Sequence, residues 1–279
     1  MSLLPTHRAD RGFSPKTAAE LRRLAARIRL NATRMVAIKG FGYLGQALSS
    51  AEIFSVLFGG GIIRLGQDRF VLSPGHYVIA FYAVAFELGL LDRSNLENYG
   101  SDGALLEAIS SERTPLLDLT CGSLGQGLSG AIGFALASRI AGDDRRVFAF
   151  LSDGEMEEGQ VWEAAMFAAH HKLGHLTVVL DANNSQVDGP LTSVTTIEPL
   201  AEKWRSFGWH VFDVDGHDVV KLESALGAPA EASGPRIVIA RTSIHGGLRS
   251  LPPTTDGHWI KLDPDVRDNV IAELEAQGA

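Results

Sequence analysis

Two short strings carry the chemistry that this sequence could perform: Ser152-Asp153-Gly154 and Asp181-Ala182-Asn183-Asn184. Each follows an apolar run, so each can stand at the tip of a strand. Adjacent parallel strands would bring Asp153 and Asn183 together at the carboxyl edge of a sheet, where open α/β sheets bind ligands. One carboxylate, one amide oxygen and a main-chain carbonyl around Ser185 make an oxygen-only ligand set, which suits Mg²⁺ or Ca²⁺ and not zinc. So few protein ligands leave an octahedral cation with open positions for diphosphate oxygens and water. Gly154 allows close approach of the main chain, and the helix that follows aims N–H groups at an anion. Asp and Asn are also good turn and cap residues, and two of them in isolation would mean no more than that.

The elements that must position these residues follow from hydrophobic rhythm. Apolar runs at Arg69–Leu72, Val147–Leu151, Thr177–Asp181, Val211–Val214 and Arg236–Ala240 are short, β-branched or aromatic, and separated by helix-length segments. That pattern predicts βαβ units with right-handed crossovers, a mostly parallel doubly wound sheet with helices on both faces. A helix is expected from Ser14-Pro15 or Thr17 to about Met35, a glycine-rich turn over Lys39–Gly45, and a short buried helix at 51–58 ending at Gly59-Gly60-Gly61. Further helices are expected over Ala131–Ile140 and Val161–Lys172, and the polar stretch 92–117 reads as a surface excursion. The domain reading is an N-terminal arm, residues 1–16, and one domain over 17–279.

The longer string from Ser152-Asp153-Gly154-Glu155 through Glu158-Gly159-Gln160-Val161-Trp162-Glu163 to Asp181-Ala182-Asn183 and Gly189 resembles the thiamine diphosphate fingerprint of transketolases. It is most similar to the separately encoded N-terminal transketolase subunit, with Ser152 replacing the first glycine of the family's Gly-Asp-Gly. Asp68-Arg69-Phe70-Val71-Leu72-Ser73-Pro74-Gly75-His76, Gly122-Ser123-Leu124-Gly125-Gln126-Gly127, Gly216-His217-Asp218 and Asp256-Gly257-His258-Trp259 extend the resemblance over about residues 17–260.

The resemblance implies that Asp153, Asn183 and the Ser185 carbonyl hold the metal. It places Gly122, Ser123, Leu124, Gly125, Gly154 and Glu155 along the cofactor, with His76 and His258 around the reacting carbon. Glu158 falls near the cofactor and a subunit interface, whereas Glu155 and Glu157 also suit a helix N-terminus through the dipole. Gly216-His217-Asp218 is expected to be a structural turn. His7, His170, His171, His175 and His210 match no family position.

A carboxylate must activate the aminopyrimidine of thiamine diphosphate, and in transketolases it lies on a downstream pyrimidine-binding domain. The expected partner is therefore a separate C-terminal subunit carrying that domain and its glutamate, in an α2β2 assembly. Two departures bear on substrate: Tyr43 stands where the family has a histidine, and Glu107–Arg113 replaces an expected Gly-His-Pro. A two-carbon ketol transfer between a ketose-type donor and an aldehyde-type acceptor, on a specialised substrate, is the expectation. The competing readings are the α-subunit of a thiamine-dependent 2-oxo acid dehydrogenase and a non-catalytic scaffold partner. A nicotinamide-binding fold is disfavoured, because no Gly-x-Gly-x-x-Gly opens a strand-to-helix turn.

Bulk properties agree with this. A chain of 279 residues with 45% hydrophobic and 21% charged residues can bury one large core. The net charge of −8 disfavours nucleic acid as a partner. Arg22, Arg23, Arg27 and Arg29 alternate with apolar residues and read as the solvated face of a helix. Cys121, the one cysteine, cannot form an internal disulfide and lies among small residues without a local base. No apolar stretch reaches the roughly 20 residues of a membrane span, so a cytoplasmic location is expected.

Overall fold

A computed structural model describes residues 16–231 and 233–279, so the expected N-terminal arm and His7 lie, Lys16 aside, outside the described residues. Its centre is a six-stranded sheet made of β1 (Arg69–Leu72), β2 (Leu119–Thr120), β3 (Val147–Ser152), β4 (Leu176–Ala182), β5 (His210–Asp215) and β6 (Arg236–Arg241). The spatial order is β2-β1-β3-β4-β6-β5, with all neighbours parallel. The period of two along each strand sends alternate residues to opposite faces. Phe70, Leu72, Phe148, Phe150, Val179 and Val238 join a core with the helices Ala18–Lys39, Leu44–Phe54, Val78–Glu87, Val219–Gly227 and Pro264–Ala276. Val71, Ala149, Leu151, Val178, Leu180, Ile237 and Ile239 join the other, under Gly127–Ala141, Gly159–His170 and Leu200–Ser206. The doubly wound expectation is met, and among the described residues no helix is long and apolar enough to cross a membrane.

The first helix starts where its cap chemistry dictates. Thr17 and Glu20 form a reciprocal capping box, and the helix ends at Gly40, whose φ of 77° suits only glycine well. It therefore outruns the expected end at Met35. Its arginines do not form one solvated face: Arg22 and Arg23 are exposed, but Arg29 is buried, gripping Glu52 through bonds of 2.7 and 2.5 Å. An arginine on the apolar side of a helix is tolerated there because Glu52 supplies the pairing charge.

Three other expectations change. The next helix begins at Leu44 and continues as a π-helical turn through Ser55–Gly59, so the glycine-rich turn is shorter than 39–45. The stretch 92–117 holds a helix, Arg93–Glu97, and sends Tyr99 and Leu106 into the core. A helix at Pro264–Ala276, unread in the sequence, rests on the first helix with Val270 and Leu274 buried; its few apolar residues leave a weak periodic signal.

Candidate active site

The carboxyl tips of β1, β2, β3, β4 and β6 carry Ser73, Cys121, Asp153, Asn183 and Thr242 in turn. Register sets the centre, because Ser152 pairs with Asp181 across β3 and β4, leaving Asp153 and Asn183 just beyond the last rungs. The main chain joins them: Asp153 donates its N–H to the Asp181 carbonyl at 3.1 Å, and Asp153 Oδ2 accepts the Asn184 N–H at 2.6 Å. Asn184 holds a left-handed φ of 59°, a conformation asparagine bears better than most residues, and so turns the loop back over Asp153. Asp153 Oδ1 accepts the Gly154 N–H at 2.9 Å, the capping contact its residue type favours. Between Asp153 and the helix Gly159–His170 stands a 3-10 turn, Gly154–Glu157, so that helix does not begin directly behind Gly154.

The amide of Asn183 is oriented from below. Its Nδ2 donates to Asp181 Oδ2 at 3.0 Å, to the Tyr77 hydroxyl at 2.9 Å and to Ser49 Oγ at 3.3 Å, while its Oδ1 accepts the Ser185 N–H at 2.9 Å. Asp181 is fully buried and also receives Ser49 Oγ at 2.6 Å, Tyr77 OH at 2.9 Å and Thr242 Oγ1. Burial drives the Asp181 carboxyl upward against those donors, and burial followed by Asp181 drives the Tyr77 hydroxyl well above its usual value. Asp181 opens one of the two strings read in the sequence but had no role of its own there, and Tyr77, Ser49 and Thr242 carried no signal. A buried acid at a strand end was the available signal; its partners are distant in sequence.

Burial, then the Asp181 charge, push the Asp153 carboxyl up to about 7. Such a site holds more negative charge than its N–H donors neutralise, and a cation would relieve it. Among the described residues no group of three or more His, Cys, Asp or Glu side chains could hold a metal by itself. The carboxylate of Asp153 and the amide oxygen of Asn183 are oxygen donors of the kind that fit a hard divalent cation.

Glu155 is the second buried acid. It accepts Ser73 Oγ at 2.5 Å and the main-chain N–H groups of Gly125 and Ser152 at 2.8 and 3.2 Å. It thus fastens the glycine loop instead of serving a helix dipole. Burial raises its carboxyl to about 7, against the pull of those three donors. Gly127 also donates to Ser73 Oγ at 3.1 Å. Gly125 has φ 79°, and a Cβ there would lie 2.8 Å from Glu158 Cβ, so this bend excludes other residues. Gly122 and Ser123 stay exposed and Leu124 is half-buried, whereas Gly125 and Gly127 are buried with their N–H groups turned in to Glu155 and Ser73. Glu158 is exposed at the start of the following helix.

The histidines meet at the other rim. His76 and His258 have ring centroids 4.9 Å apart, and Tyr43 lies 5.3 Å from His76 and 5.4 Å from His258. Trp259 stacks edge-on against Tyr43 at 4.5 Å. The segment bearing His258 is locked by backbone contact, since a Cβ on Gly45 would fall 1.8 Å from the Gly257 carbonyl oxygen. Burial, and secondarily His258, lower the His76 pKa to about 3; burial also lowers that of His258. Both rings are neutral at ordinary pH. Elsewhere, His175 bonds the Ala135 carbonyl, His210 pairs with Glu231, and Asp218 caps the helix Val219–Gly227, the structural turn expected of Gly216-His217-Asp218. A hollow of about 580 Å³ lined by Met156, Glu157, Trp162, Ile197 and Phe207 includes neither Asp153 nor Asn183.

Residues 21–270 match the family model described as transketolase, thiamine diphosphate binding domain. The chain is 37% identical over 262 residues to a putative uncharacterized transketolase family protein of Sinorhizobium fredii, covering 90% of this chain and 94% of that one. It is 36% identical over 253 residues to a 6-deoxy-6-sulfo-D-fructose transketolase subunit of a Clostridium species, covering 86% and 90%. Human transketolase is 32% identical over 265 residues, but only 42% of its length is spanned. The crystal structure of transketolase from Campylobacter jejuni superposes with a TM-score of 0.82 at 25% identity, over 92% of this chain and 43% of that chain.

Proposed function

Since this chain belongs to the transketolase family, we propose that it is the thiamine diphosphate-binding subunit of a two-component enzyme moving a two-carbon ketol unit from a ketose-type donor to an aldehyde-type acceptor. The observation that carries this reading is the junction of Asp153 and Asn183 through the Asn184 N–H at the tips of β3 and β4. In it, Asp153, Asn183 and the Ser185 carbonyl hold Mg²⁺ (or Ca²⁺), and Gly122, Ser123, Leu124, Gly125 and Gly154 line the diphosphate. Bound thiamine diphosphate supplies a nucleophilic carbon that stabilises the transferred unit. Glu155 holds the glycine loop in place for it. Neutral His76 and His258 accept or donate protons at the substrate's oxygens, a role suited to uncharged imidazole. Glu158, exposed beside Gly125, faces the partner.

That partner is a separate C-terminal subunit bringing the pyrimidine-binding domain and its activating glutamate, in an α2β2 assembly. Support comes from the two relatives that this chain spans at 94% and 90% of their length, one of them named a subunit. The substrate is a specialised one and not an ordinary pentose phosphate. Tyr43 in contact with both histidines supports this, as does the relative whose name specifies a sulfonated fructose. Titration calorimetry of the two-chain complex with Mg²⁺ and thiamine diphosphate tests the cofactor reading: no heat of binding, or binding unaffected by Asp153→Asn, would refute it. Turnover of xylulose 5-phosphate with ribose 5-phosphate at ordinary transketolase rates would refute the specialised substrate.

A further inference from the structure

Gln46 stands in the first turn of the helix Leu44–Phe54, only 3% exposed. Its Nε2 lies 3.2 Å from Nδ1 of His258. Its carbonyl Oε1 is buried with no hydrogen-bond partner. An amide nitrogen only donates, so Nδ1 of His258 accepts, and the neutral ring carries its proton on Nε2. The rest of the His258 ring meets Tyr43 edge-on and His76, so the ring is held by its contact with Gln46 and an aromatic wall, while the main-chain N–H donates to Asp256 Oδ1 at 2.8 Å. A buried acceptor without a partner is uncommon in a folded chain and marks a place where a ligand, water or ion completes the bonding. Gly45, next in sequence, fixes where Gln46 stands, because its contact with the Gly257 carbonyl joins the helix start to the His258 segment.

We propose that Gln46 is a specificity-determining residue of this site: its amide N–H holds His258 in the Nε2–H form, and its carbonyl oxygen accepts a hydroxyl of the bound substrate. This rests on the transketolase reading and narrows it, since the substrate must present a hydroxyl donor beside the atom that His258 contacts. An analogue lacking that hydroxyl leaves the acceptor unpaired and is rejected, which is how a polar site discriminates.

Two experiments decide it. In the full chain labelled with ¹⁵N-histidine, His258 is identified by the resonances that vanish in His258→Asn, and its long-range couplings report the tautomer. Wild type is expected to be protonated at Nε2, and Gln46→Leu to show a substantial Nδ1–H population. A wild-type proton on Nδ1, or a tautomer unmoved in Gln46→Leu, overturns the hold on His258. In the complex with the partner subunit and 6-deoxy-6-sulfo-D-fructose as donor, glycolaldehyde and acetaldehyde differ as acceptors by one hydroxyl. Wild type is expected to favour glycolaldehyde by at least about tenfold in kcat/KM, the effect of one hydrogen bond. Gln46→Leu should lose that preference through KM, and Gln46→Glu, which keeps an acceptor oxygen, should recover it. A preference retained in Gln46→Leu overturns the hydroxyl contact. Wild-type inactivity with both aldehydes would instead count against the transketolase reading and the hydroxyl contact with it, while the tautomer still decides the hold on His258.

Discussion

The carboxylate of Glu155 accepts the main-chain N–H of Gly125 at 2.8 Å, and this contact ties the turn after β3 to the glycine loop after β2. The same oxygen takes the Ser73 hydroxyl from the end of β1, so three strand tips share one buried acid.

Glu155→Ala should therefore destabilise the fold by about 2–5 kcal/mol, because it opens a cavity and strands donors at Ser73, Gly125 and Ser152. Glu155→Gln turns an amide N–H toward one of those donors and should cost about 1–3 kcal/mol. Urea unfolding with an unchanged slope is the measurement; wild-type stability in Glu155→Ala would show that the loop does not depend on it.

Tyr77 receives one bond from Asn183 and gives one to Asp181. Tyr77→Phe should cost about 0.5–1.5 kcal/mol in stability and also weaken Mg²⁺-dependent cofactor binding, since the Asn183 amide then loses one of the contacts that orient it. Calorimetric affinity equal to wild type would show that Asn183 is held by Asp181 and Ser49 alone.

The buried pair of Arg29 and Glu52 is bidentate at 2.7 and 2.5 Å, and His217 Nδ1 adds a contact to Glu52 at 3.0 Å. Removing one member leaves a buried charge, so Glu52→Leu or Arg29→Met alone should cost about 3–5 kcal/mol. The double variant should cost clearly less than the sum, as coupled neighbours do. Additive losses would mean that the pair is not coupled.

His76 sets a pH dependence. Its folded pKa is lowered to about 3 from 6.5, so below about pH 6.5 the unfolded chain binds a proton that the folded chain refuses. This contribution lowers stability as pH falls from about 6.5 towards 3, and is flat above 6.5. Wild type should therefore lose more stability than His76→Phe between pH 7 and pH 5 in matched urea titrations. Equal losses would show that His76 is protonated freely in the folded state.

The sequence by itself determined five of the six sheet strands, because short β-branched runs between helix-length segments permit little else, but not the two-residue β2 that leads into the glycine loop, which is too short to show a rhythm. It also determined that Asp153 and Asn183 stand at neighbouring tips, since parallel register follows from the crossover between them. Local rhythm failed where context overrides it: Leu44–Ser50 is helical although Gly45 suggests a turn, because that glycine is required by contact with Gly257. Arg29 is buried although its neighbours Arg22 and Arg23 are exposed, because Glu52 waits for it on another helix. The tertiary structure alone decided that Glu155 turns inward to Ser73 and Gly125, that Asp181 and Tyr77 orient Asn183, and that Gln46 meets His258. Each of these is a hydrogen bond between strand tips or helix ends far apart in the chain, and side-chain polarity read along one segment does not say which distant partner will satisfy it.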